Sequence, residues 1–269
     1  MITLTLLEKM YSKNKQIATQ AFQENIRFQL SKLKVKLNKV NLSSRGWLQV
    51  EIAGEDEVAA AKYLEKRYGS APIHINKINA PSLIRGRIIN ANKIGNRLHI
   101  DIGVMYPKQI DGFITLNKLR SQLTDGKNLS INQIRNLFCL QEHLPLDVLL
   151  TKITPEKNEI KAELTQSIIK TFYECVSWHF DRIIVFGVNQ KKVKYAIDKA
   201  KVKRYLNRIE KLGFFEHSLI CKIGVDAPGI IFKIGQHLKS VPMYVFSPRR
   251  ILTKLDPIRF KKKLNNYRS

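Results

Sequence analysis

The chain has 269 residues, of which 44% are apolar, so it has room for two or three domains with hydrophobic cores, and wholesale disorder is excluded. Its formal net charge of +25 predicts a polyanionic partner, most simply nucleic acid, with an anionic membrane surface as the second option. No stretch reaches the roughly 18 consecutive apolar residues that a membrane-spanning helix needs, and the first residues lack the basic and apolar regions of a signal peptide.

Residues 1–80 are predicted to form a β-α-β-β-α-β unit. A strand from Ile2 to Leu7 precedes an amphipathic helix that Ser12 can cap. Two alternating stretches, "KVKLNKVNL" and "WLQVEI", predict the next two strands. A second helix begins near Asp56 and ends at Gly69, and "PIHINKI" is a last short strand. This element order is that of a ferredoxin-like domain.

Residues 81–166 are predicted to form a small β-barrel. After the boundary at "NAPS", three short strands with turn signals follow: "LIRGRIINA", "NRLHIDIGV" and "DGFITL". A helical interruption, "SINQIRNLFCL", comes after Gly126. The stretches "PLDVLLTKI" and "EIKAELTQ", joined by the turn "TPEKN", close the unit.

Residues 167–269 repeat the β-α-β-β-α-β order after an amphipathic stretch, "SIIKTFYECVSWHF". The strands are "RIIVFGV", the paired stretches "VKRYLNRIEKLG" and "EHSLICKIG", and "PMYVFSP". Within residues 201–216, "RYLNRIEKL" has mixed helix and strand character. Asn189 is predicted to cap one helix and Asp226 the other. A basic tail, "PRRILTKLDPIRFKKKLNNYRS", ends the region, which carries 22 basic and 7 acidic side chains, a net +15.

The central stretch "RGRIINANKIGNRLHIDIGVMYPKQIDGFITLNKL" resembles the S1 class of OB-fold RNA-binding domains. Gly86, Gly95, "HIDIG" and "GFITLNKL" follow the S1 order, and the similarity covers about residues 83–166 with an insertion around 126–143. S1 domains usually have an aromatic residue where His99 stands and a histidine where Thr115 stands. The usual stacking trio is thereby reduced to Phe113 and His99, so this barrel is expected to bind RNA by backbone contacts or to pack on protein.

Most of the chain also resembles an archaeal family of conserved proteins that carries a domain of unknown function. The similarity rests on "GEDEVAAAKYLEKRYG", "DIGV", "LRSQLTDGK" and "CKIGVDAPGIIFKIG". Together the patterns predict an α+β, multidomain protein in which two ferredoxin-like α/β sandwich domains flank a central S1-like OB β-barrel. The predicted domains are 1–80, 81–166 and 167–269, the last with its basic tail.

The polar cluster in "LHIDIGVMYPKQIDGFITL" is a first candidate site. Two carboxylates that lie close together can share metal or proton chemistry. However, Asp101 alternates with Ile100 and Ile102, and Asp111 precedes Gly112 in a turn. This placement favours structural turns and a binding surface over catalysis.

Other chemistry-bearing patterns are weak. The helix start after Asp226 could hold a phosphate, but Asp226 would repel it, and the glycine-rich phosphate motifs are absent from the sequence. The histidines lack metal-ligand spacing, and Cys221 lies in an apolar strand. Cys139, Cys175 and Cys221 form no CxxC pair, which argues against structural zinc and disulfides. We expect no catalytic residues, cofactor or metal, and a reduced, soluble, cytoplasmic protein.

Basic segments are the strongest functional signal. Residues 191–211 hold nine basic and two acidic side chains, with Tyr195 and Tyr205 between them. Such runs contact nucleic-acid phosphates in a salt-sensitive and weakly sequence-specific way. The barrel residues expected to bind RNA are Lys93, Arg97, His99, Phe113, Lys118 and Arg120. The residues of the last third expected to hold phosphates are Lys191, Lys192, Lys194, Lys203, Arg204, Arg249 and Arg250.

The leading hypothesis is a non-enzymatic RNA-binding protein that contacts structured RNA, such as rRNA, the ribosome or RNA being processed. The second is a protein-interaction adaptor that docks on a transcription, translation or RNA-decay complex. A third, an RNA-modifying or RNA-cleaving enzyme, lacks a recognisable catalytic constellation in the sequence.

Overall fold

The computed structural model describes residues 1–11, 15–91 and 95–256. Its first sheet has three antiparallel strands in the order β1-β3-β2. The elements of this region are β1 (Ile2–Lys9), α1 (Lys15–Leu30), β2 (Val35–Leu42), β3 (Trp47–Gly54), α2 (Glu57–Tyr68) and β4 (Ile73–His74). Phe22 and Ile26 of α1 and Ala60 and Leu64 of α2 are buried against the sheet. Gly69 ends α2 as predicted, with a φ of 75°. The predicted cap Ser12 lies outside the described residues.

A closed five-stranded barrel follows. Its elements are β5 (Ser82–Ile89), β6 (Arg97–Tyr106), β7 (Ile110–Thr115), α3 (Leu116–Leu123), α4 (Ile131–Phe138), β8 (Pro145–Thr154) and β9 (Glu159–Leu164). The strands pair antiparallel except β7 and β9, whose parallel pairing closes the barrel. Ile88, Ile100, Val148 and Ile160 fill its interior and are fully buried. The predicted helical interruption is α4.

The short strand β4 does not extend the first sheet. It runs parallel to β6 of the barrel, with Ile73 opposite Val104. Gly103 explains how the chain reaches this position, because a Cβ there would lie 2.7 Å from the Cβ of Ala71, closer than side chains approach. The predicted last strand of the N-terminal sheet is therefore divided: Ser70 bridges Leu6 of β1 in antiparallel fashion, whereas Ile73 and His74 pair with the barrel.

The last region contains a four-stranded antiparallel sheet in the order β11-β12-β10-β13. Its elements are α5 (Gln166–Ser177), β10 (Arg182–Phe186), α6 (Gln190–Lys199), β11 (Leu206–Lys211), β12 (Glu216–Cys221), α7 (Ala227–Gly235), β13 (Met243–Phe246) and α8 (Pro248–Lys254). A 3-10 turn at Lys203–Tyr205 precedes β11 and accounts for the mixed pattern of that stretch. The start of the predicted tail is a helix, α8, because Ile251 and Leu255 are buried. Residues 257–269 lie outside the described residues.

The two faces of this sheet pack differently. Alternate residues such as Ile183 and Val185 lie under α6 and α7. Ile184, Phe186 and Phe246 face the other way and join the core of the barrel together with α5 and α8. Because that core is shared, the predicted boundary at residues 166 and 167 stays a prediction.

The loop between β11 and β12 ties the C-terminal sheet to the N-terminal region. Phe214 and Phe215 lie in the core formed by α1 and α2, and both are buried. The ring of Phe214 meets Phe22 edge-on at 4.9 Å and Phe215 at 4.7 Å. Aromatic pairs at this distance stabilise a contact beyond their buried area. All three regions are thus joined by buried side chains.

Candidate nucleic-acid interface

The predicted stacking face of the barrel is covered. Phe113 is opposite His99 across β6 and β7, and only 3% of Phe113 is exposed. The guanidinium of Arg97 lies over the Phe113 ring at 4.0 Å and pairs with Glu159 at 3.0 Å. His99 is half-buried. A base could reach the Phe113 ring only if Arg97 moved away.

The other barrel cations expected to bind RNA have partners within the protein. Lys118 pairs with Glu163 at 2.6 Å, and Arg120 donates to the carbonyl of Leu129 at 2.8 Å. Lys93 lies outside the described residues. Thr115, where S1 domains have a histidine, caps α3 by accepting from the Lys118 amide at 3.4 Å. The departure from the S1 pattern therefore has a local structural role.

Asp101 is not part of a binding surface, contrary to the prediction. Its side chain is 0% exposed and accepts from Lys9 Nζ at 2.7 Å and Arg45 Nε at 3.1 Å. Trp47 Nε1 and the Gly103 amide also donate to it, at 3.3 and 3.0 Å. The carboxylate that alternates away from the barrel interior thus points into the joint with the N-terminal region. Arg45 also pairs with Asp111 at 2.5 Å, although burial raises the pKa of the Asp111 carboxyl.

A second buried ionic cluster joins all three regions. Arg87 of the barrel contacts Glu8 of β1 and pairs with Glu216 of β12 at 2.7 Å. The Tyr11 hydroxyl donates to Glu216 at 2.5 Å and accepts from the Gly187 amide at 3.0 Å. Burial raises the pKa of the Glu8 carboxyl and of the Tyr11 hydroxyl. The ion-paired side chains are almost fully buried, so this cluster serves the joint rather than a surface.

Helix α6 presents the predicted phosphate-binding lysines. Asn189 caps it by accepting from the Lys192 amide at 3.0 Å, as predicted. Val193, Ala196 and Ile197 recur at helical spacing and are buried on the sheet. The packing of that stripe turns the lysines outward, so Lys191, Lys192 and Lys194 are exposed.

The 3-10 turn after α6 continues this surface. Lys203 and Arg204 are exposed, and the Arg204 guanidinium lies 4.8 Å from the ring centroid of Tyr205. Lys233 of α7 approaches the same ring at 5.8 Å. On α6, the ammonium of Lys199 lies 5.7 Å from the ring of Tyr195. We call this surface the α6–α7 basic face; its cations are Lys191, Lys192, Lys194, Lys199, Lys203, Arg204 and Lys233.

Among the described residues, no carboxylate forms an ion pair with a cation of the basic face. The ion pairs of the C-terminal sheet involve Glu210, which binds Arg182 and Arg208 at 2.5 Å each. Within the described part of the chain, no carboxylate lies within 4.0 Å of Lys191, Lys192 or Lys194. Unpaired surface cations keep their full attraction for a polyanion. The predicted barrel cations Arg97 and Lys118, by contrast, are already neutralised by paired carboxylates.

Arg249 and Arg250 do not join the basic face. Both are exposed in the first turn of α8. Helix α8 packs through Ile251 into the core on the opposite side of the sheet from α6. The predicted binding residues therefore divide into three separate surfaces. Lys233 belongs to the basic face but was missed in the sequence, because its place beside Tyr205 depends on how α7 packs.

The other candidate groups named from the sequence lie in structural positions. Among the residues that the structure describes, no three His, Cys, Asp or Glu side chains are grouped so that they could hold a metal ion. Cys139, Cys175 and Cys221 are buried free thiols, and burial raises their pKa values to about 12, 11 and 11. Asp226 caps α7 by accepting from the Gly229 amide at 3.0 Å, as predicted. Over the described ranges, no helix has the length and apolar character to cross a bilayer.

The comparison with solved structures includes a weak likeness. A chain in the crystal structure of the a/eIF2alpha–aDim2p–rRNA complex from Pyrococcus horikoshii OT3 matches with a TM-score of 0.24 and 14% identity. The match covers 46% of this chain and 64% of that one. None of the curated proteins compared with the sequence matches it.

Family comparison gives a consistent result along the chain. Residues 3–74 match the DUF2110 N-terminal domain, residues 79–176 the DUF2110 central domain, and residues 180–245 the DUF2110 C-terminal domain. The matches come in the order of the family's parts and leave only short gaps between them. The chain belongs to the DUF2110 family.

Proposed function

We propose that the protein is a non-enzymatic RNA-binding protein of the cytoplasm that holds structured RNA, such as rRNA or RNA being processed. The α6–α7 basic face is its main contact with phosphates. The observation that carries the proposal is the state of the cations there: they are exposed, they lack carboxylate partners among the described residues, and two tyrosines lie between them.

Physical chemistry favours a nucleic acid over other polyanions at this face. Lysine and arginine bind phosphate oxygens, and each contact releases a counterion from the nucleic acid. Aromatic side chains beside the cations add surfaces on which bases can stack. Tyr195, 58% exposed, and Tyr205, between Arg204 and Lys233, combine both kinds of contact.

The proposal extends to the architecture of the flanking and central regions. An S1-like identity of the barrel is supported by its five closed strands and by a helix directly after β7. A ferredoxin-like identity of the C-terminal sheet is supported by its β-α-β-β-α-β order and antiparallel strands. The N-terminal region has the same element order, and over the described residues its sheet has three strands with Ser70 bridged to Leu6 at its edge.

Filter binding of RNA over a series of salt concentrations tests the proposal. Replacing Lys191, Lys192 and Lys194 with Gln should weaken binding and reduce the slope of log K against log salt by about 2. A matched control replaces Lys32, Lys36 and Lys39 with Gln. These lysines are exposed, and their replacement removes the same charge from the N-terminal region. Binding that ignores salt, or equal losses in both triple variants, would contradict the proposal.

A second candidate function is an adaptor that docks on a transcription, translation or RNA-decay complex. The observation that favours it is the barrel face, where the guanidinium of Arg97 covers the Phe113 ring. There Arg97 and Lys118 are each paired with a carboxylate of the protein. Protein partners should survive nuclease treatment in a pull-down, whereas partners bridged by RNA should not.

A further inference from the structure

A groove separates helix α1 of the N-terminal region from helix α6 of the C-terminal region. Two adjoining cavities of about 400 and 390 Å³ form it, and both are lined by Ala21, Asn189 and Lys191. We propose that this groove binds unpaired bases of a single-stranded segment of RNA. The inference rests on the proposed function and adds where bases, as distinct from phosphates, are held.

The floor of the groove is apolar and fixed. Phe214 lines one cavity and Phe215 the other. Phe214 packs edge-on against Phe22 of α1 at 4.9 Å, so the two regions are joined directly beneath the groove. A preformed cavity spares a ligand the entropy of ordering loops on binding.

Two exposed aromatic side chains stand on opposite sides of the groove. Phe28 of α1 lines one cavity and is 81% exposed, and Tyr195 of α6 lines the other and is 58% exposed. The stripe that anchors α1 consists of Ala18, Phe22, Ile26 and Leu30, so Phe28 is not needed for that packing. Exposed aromatic faces are the platforms on which unpaired bases stack.

Polar groups and charges suit a nucleic acid. Asn25, Asn189 and Gln190 line the first cavity and can bond the edges of bases. The Asn25 amide is held by a bond to the Tyr68 hydroxyl at 2.7 Å. Among the described residues that line the groove, Lys191, Lys192 and Lys211 stand against one carboxylate, Glu24. This excess of positive charge favours a polyanion over a peptide without acidic residues.

Position links the groove to the basic face. Lys191 and Lys192 contribute to both, because they lie in the first turn of α6 at the edge of the groove. A strand whose phosphates rest on these lysines can turn its bases into the groove, between Phe28 and Tyr195. Bases held in a duplex face each other and cannot enter, so the groove should select single strands.

Fluorescence anisotropy of the full chain tests this with a labelled RNA of about 12 nucleotides, used as a single strand and as a duplex. The variants are Phe28→Ser, Tyr195→Ser and Ala21→Trp, which fills the shared part of the groove. Leu83→Ser, which changes a side chain that is 74% exposed on the barrel, is the matched control for Phe28→Ser. Because Phe28 and Tyr195 are exposed, their variants should fold even if Ala21→Trp does not.

Each groove variant should lower affinity for the single strand about ten-fold, the loss expected when one stacked base is released. In Phe28→Ser and Ala21→Trp, affinity for the duplex and the salt slope should stay unchanged, as should every property of Leu83→Ser. Because Tyr195 also belongs to the basic face, Tyr195→Ser should lower affinity for the duplex as well, but by less than for the single strand. The lysine variant of the basic face should instead reduce the slope with both RNAs.

Two results would overturn the inference. Groove variants that keep their affinity for the single strand would show that bases do not enter, while loss in the lysine variant would leave the proposed function standing. Equal losses for single strand and duplex would show that the groove does not select unpaired bases. If the lysine variant also binds normally, or the unaltered chain binds neither RNA, the proposed function fails with it.

Discussion

Arg87 and Glu216 form an ion pair of 2.7 Å in which the two side chains are 1% and 0% exposed, and the pair joins the barrel to the C-terminal sheet. Glu8 contacts the same guanidinium from the N-terminal region. Two buried carboxylates therefore share one cation. Burial raises the pKa of Glu8, and the charge of Glu216 adds to that effect while Arg87 opposes it.

Replacing Arg87 with Met should destabilise the fold by about 3–5 kcal/mol, because two carboxylates would remain buried without their cation. Glu8→Gln should lower the free energy of unfolding much less, since it removes one of the two carboxylates that share Arg87. Urea unfolding measures both. Lys34→Met is the control, because the Lys34–Glu55 pair is about three-quarters exposed and such pairs contribute roughly 0–1 kcal/mol. Equal losses in the variants at Arg87 and Glu8 would contradict this account.

Asp101→Asn should also lower stability by about 3–5 kcal/mol, because Lys9 would be left buried without a carboxylate and Arg45 would keep only Asp111. Asp111→Asn should cost less, since Asp111 keeps 27% of its side chain exposed. RNA affinity should be unchanged in folded Asp101→Asn. An RNA turnover activity that disappears in this variant while its stability persists would instead revive an enzymatic role for Asp101.

The sequence predicted the elements well where the pattern is local. The helical spacing that ends at Gly69, the cap at Asn189 and the interruption at α4 all follow from residues that lie near each other in the chain. Alternation of Asp101 with Ile100 and Ile102 correctly placed its side chain outside the barrel interior. The partners of Asp101 could not be predicted from the sequence of β6, because Lys9 and Arg45 lie more than 50 residues earlier in the chain.

The same limit applies to the binding surface. Net charge per region identified the lysines of α6. Whether these lysines form ion pairs, however, depends on which acidic residues lie beside them in the folded chain. Glu159 and Glu163 reach Arg97 and Lys118 only because β9 closes the barrel beside β7. Phe28 showed no signal in the sequence, since its significance comes from α6 lying opposite it.

Stability should fall between about pH 6.5 and pH 4 through His143. Its ring stacks on Tyr11 at 3.9 Å, and burial, together with the charges of Lys9 and Arg87, lowers its pKa from 6.5 to about 4. In that range the unfolded chain binds a proton that the folded chain does not, so the unfolded state is favoured as pH falls. Because His143 is only partly buried, we expect a loss of about 1–2 kcal/mol after solvent screening.

The variant His143→Phe keeps a stacked ring but cannot titrate, so it isolates this effect. Glu8 acts in the opposite direction, since its raised pKa lets the folded state hold a proton as pH falls. The free energies of unfolding of the unaltered chain and of His143→Phe are measured in urea at pH 7 and at pH 5. Subtracting one from the other at each pH removes the contribution of Glu8, which both proteins share. A difference that does not change with pH would contradict the assignment to His143.

The barrel face offers the last prediction. Phe113 is 3% exposed beneath the guanidinium of Arg97, so Phe113→Leu should lower stability slightly and change RNA affinity by less than about two-fold. Arg97→Gln should weaken RNA binding if the barrel contacts phosphates, because it removes an exposed cation whose partner, Glu159, would then repel RNA. Affinity measured at two salt concentrations distinguishes an electrostatic contact of Arg97 from base stacking on Phe113. The loss in Arg97→Gln should shrink at the higher concentration, because salt screens the attraction between the guanidinium and the phosphates. A large, salt-independent loss in Phe113→Leu would show instead that Arg97 swings aside and that a base stacks on the Phe113 ring.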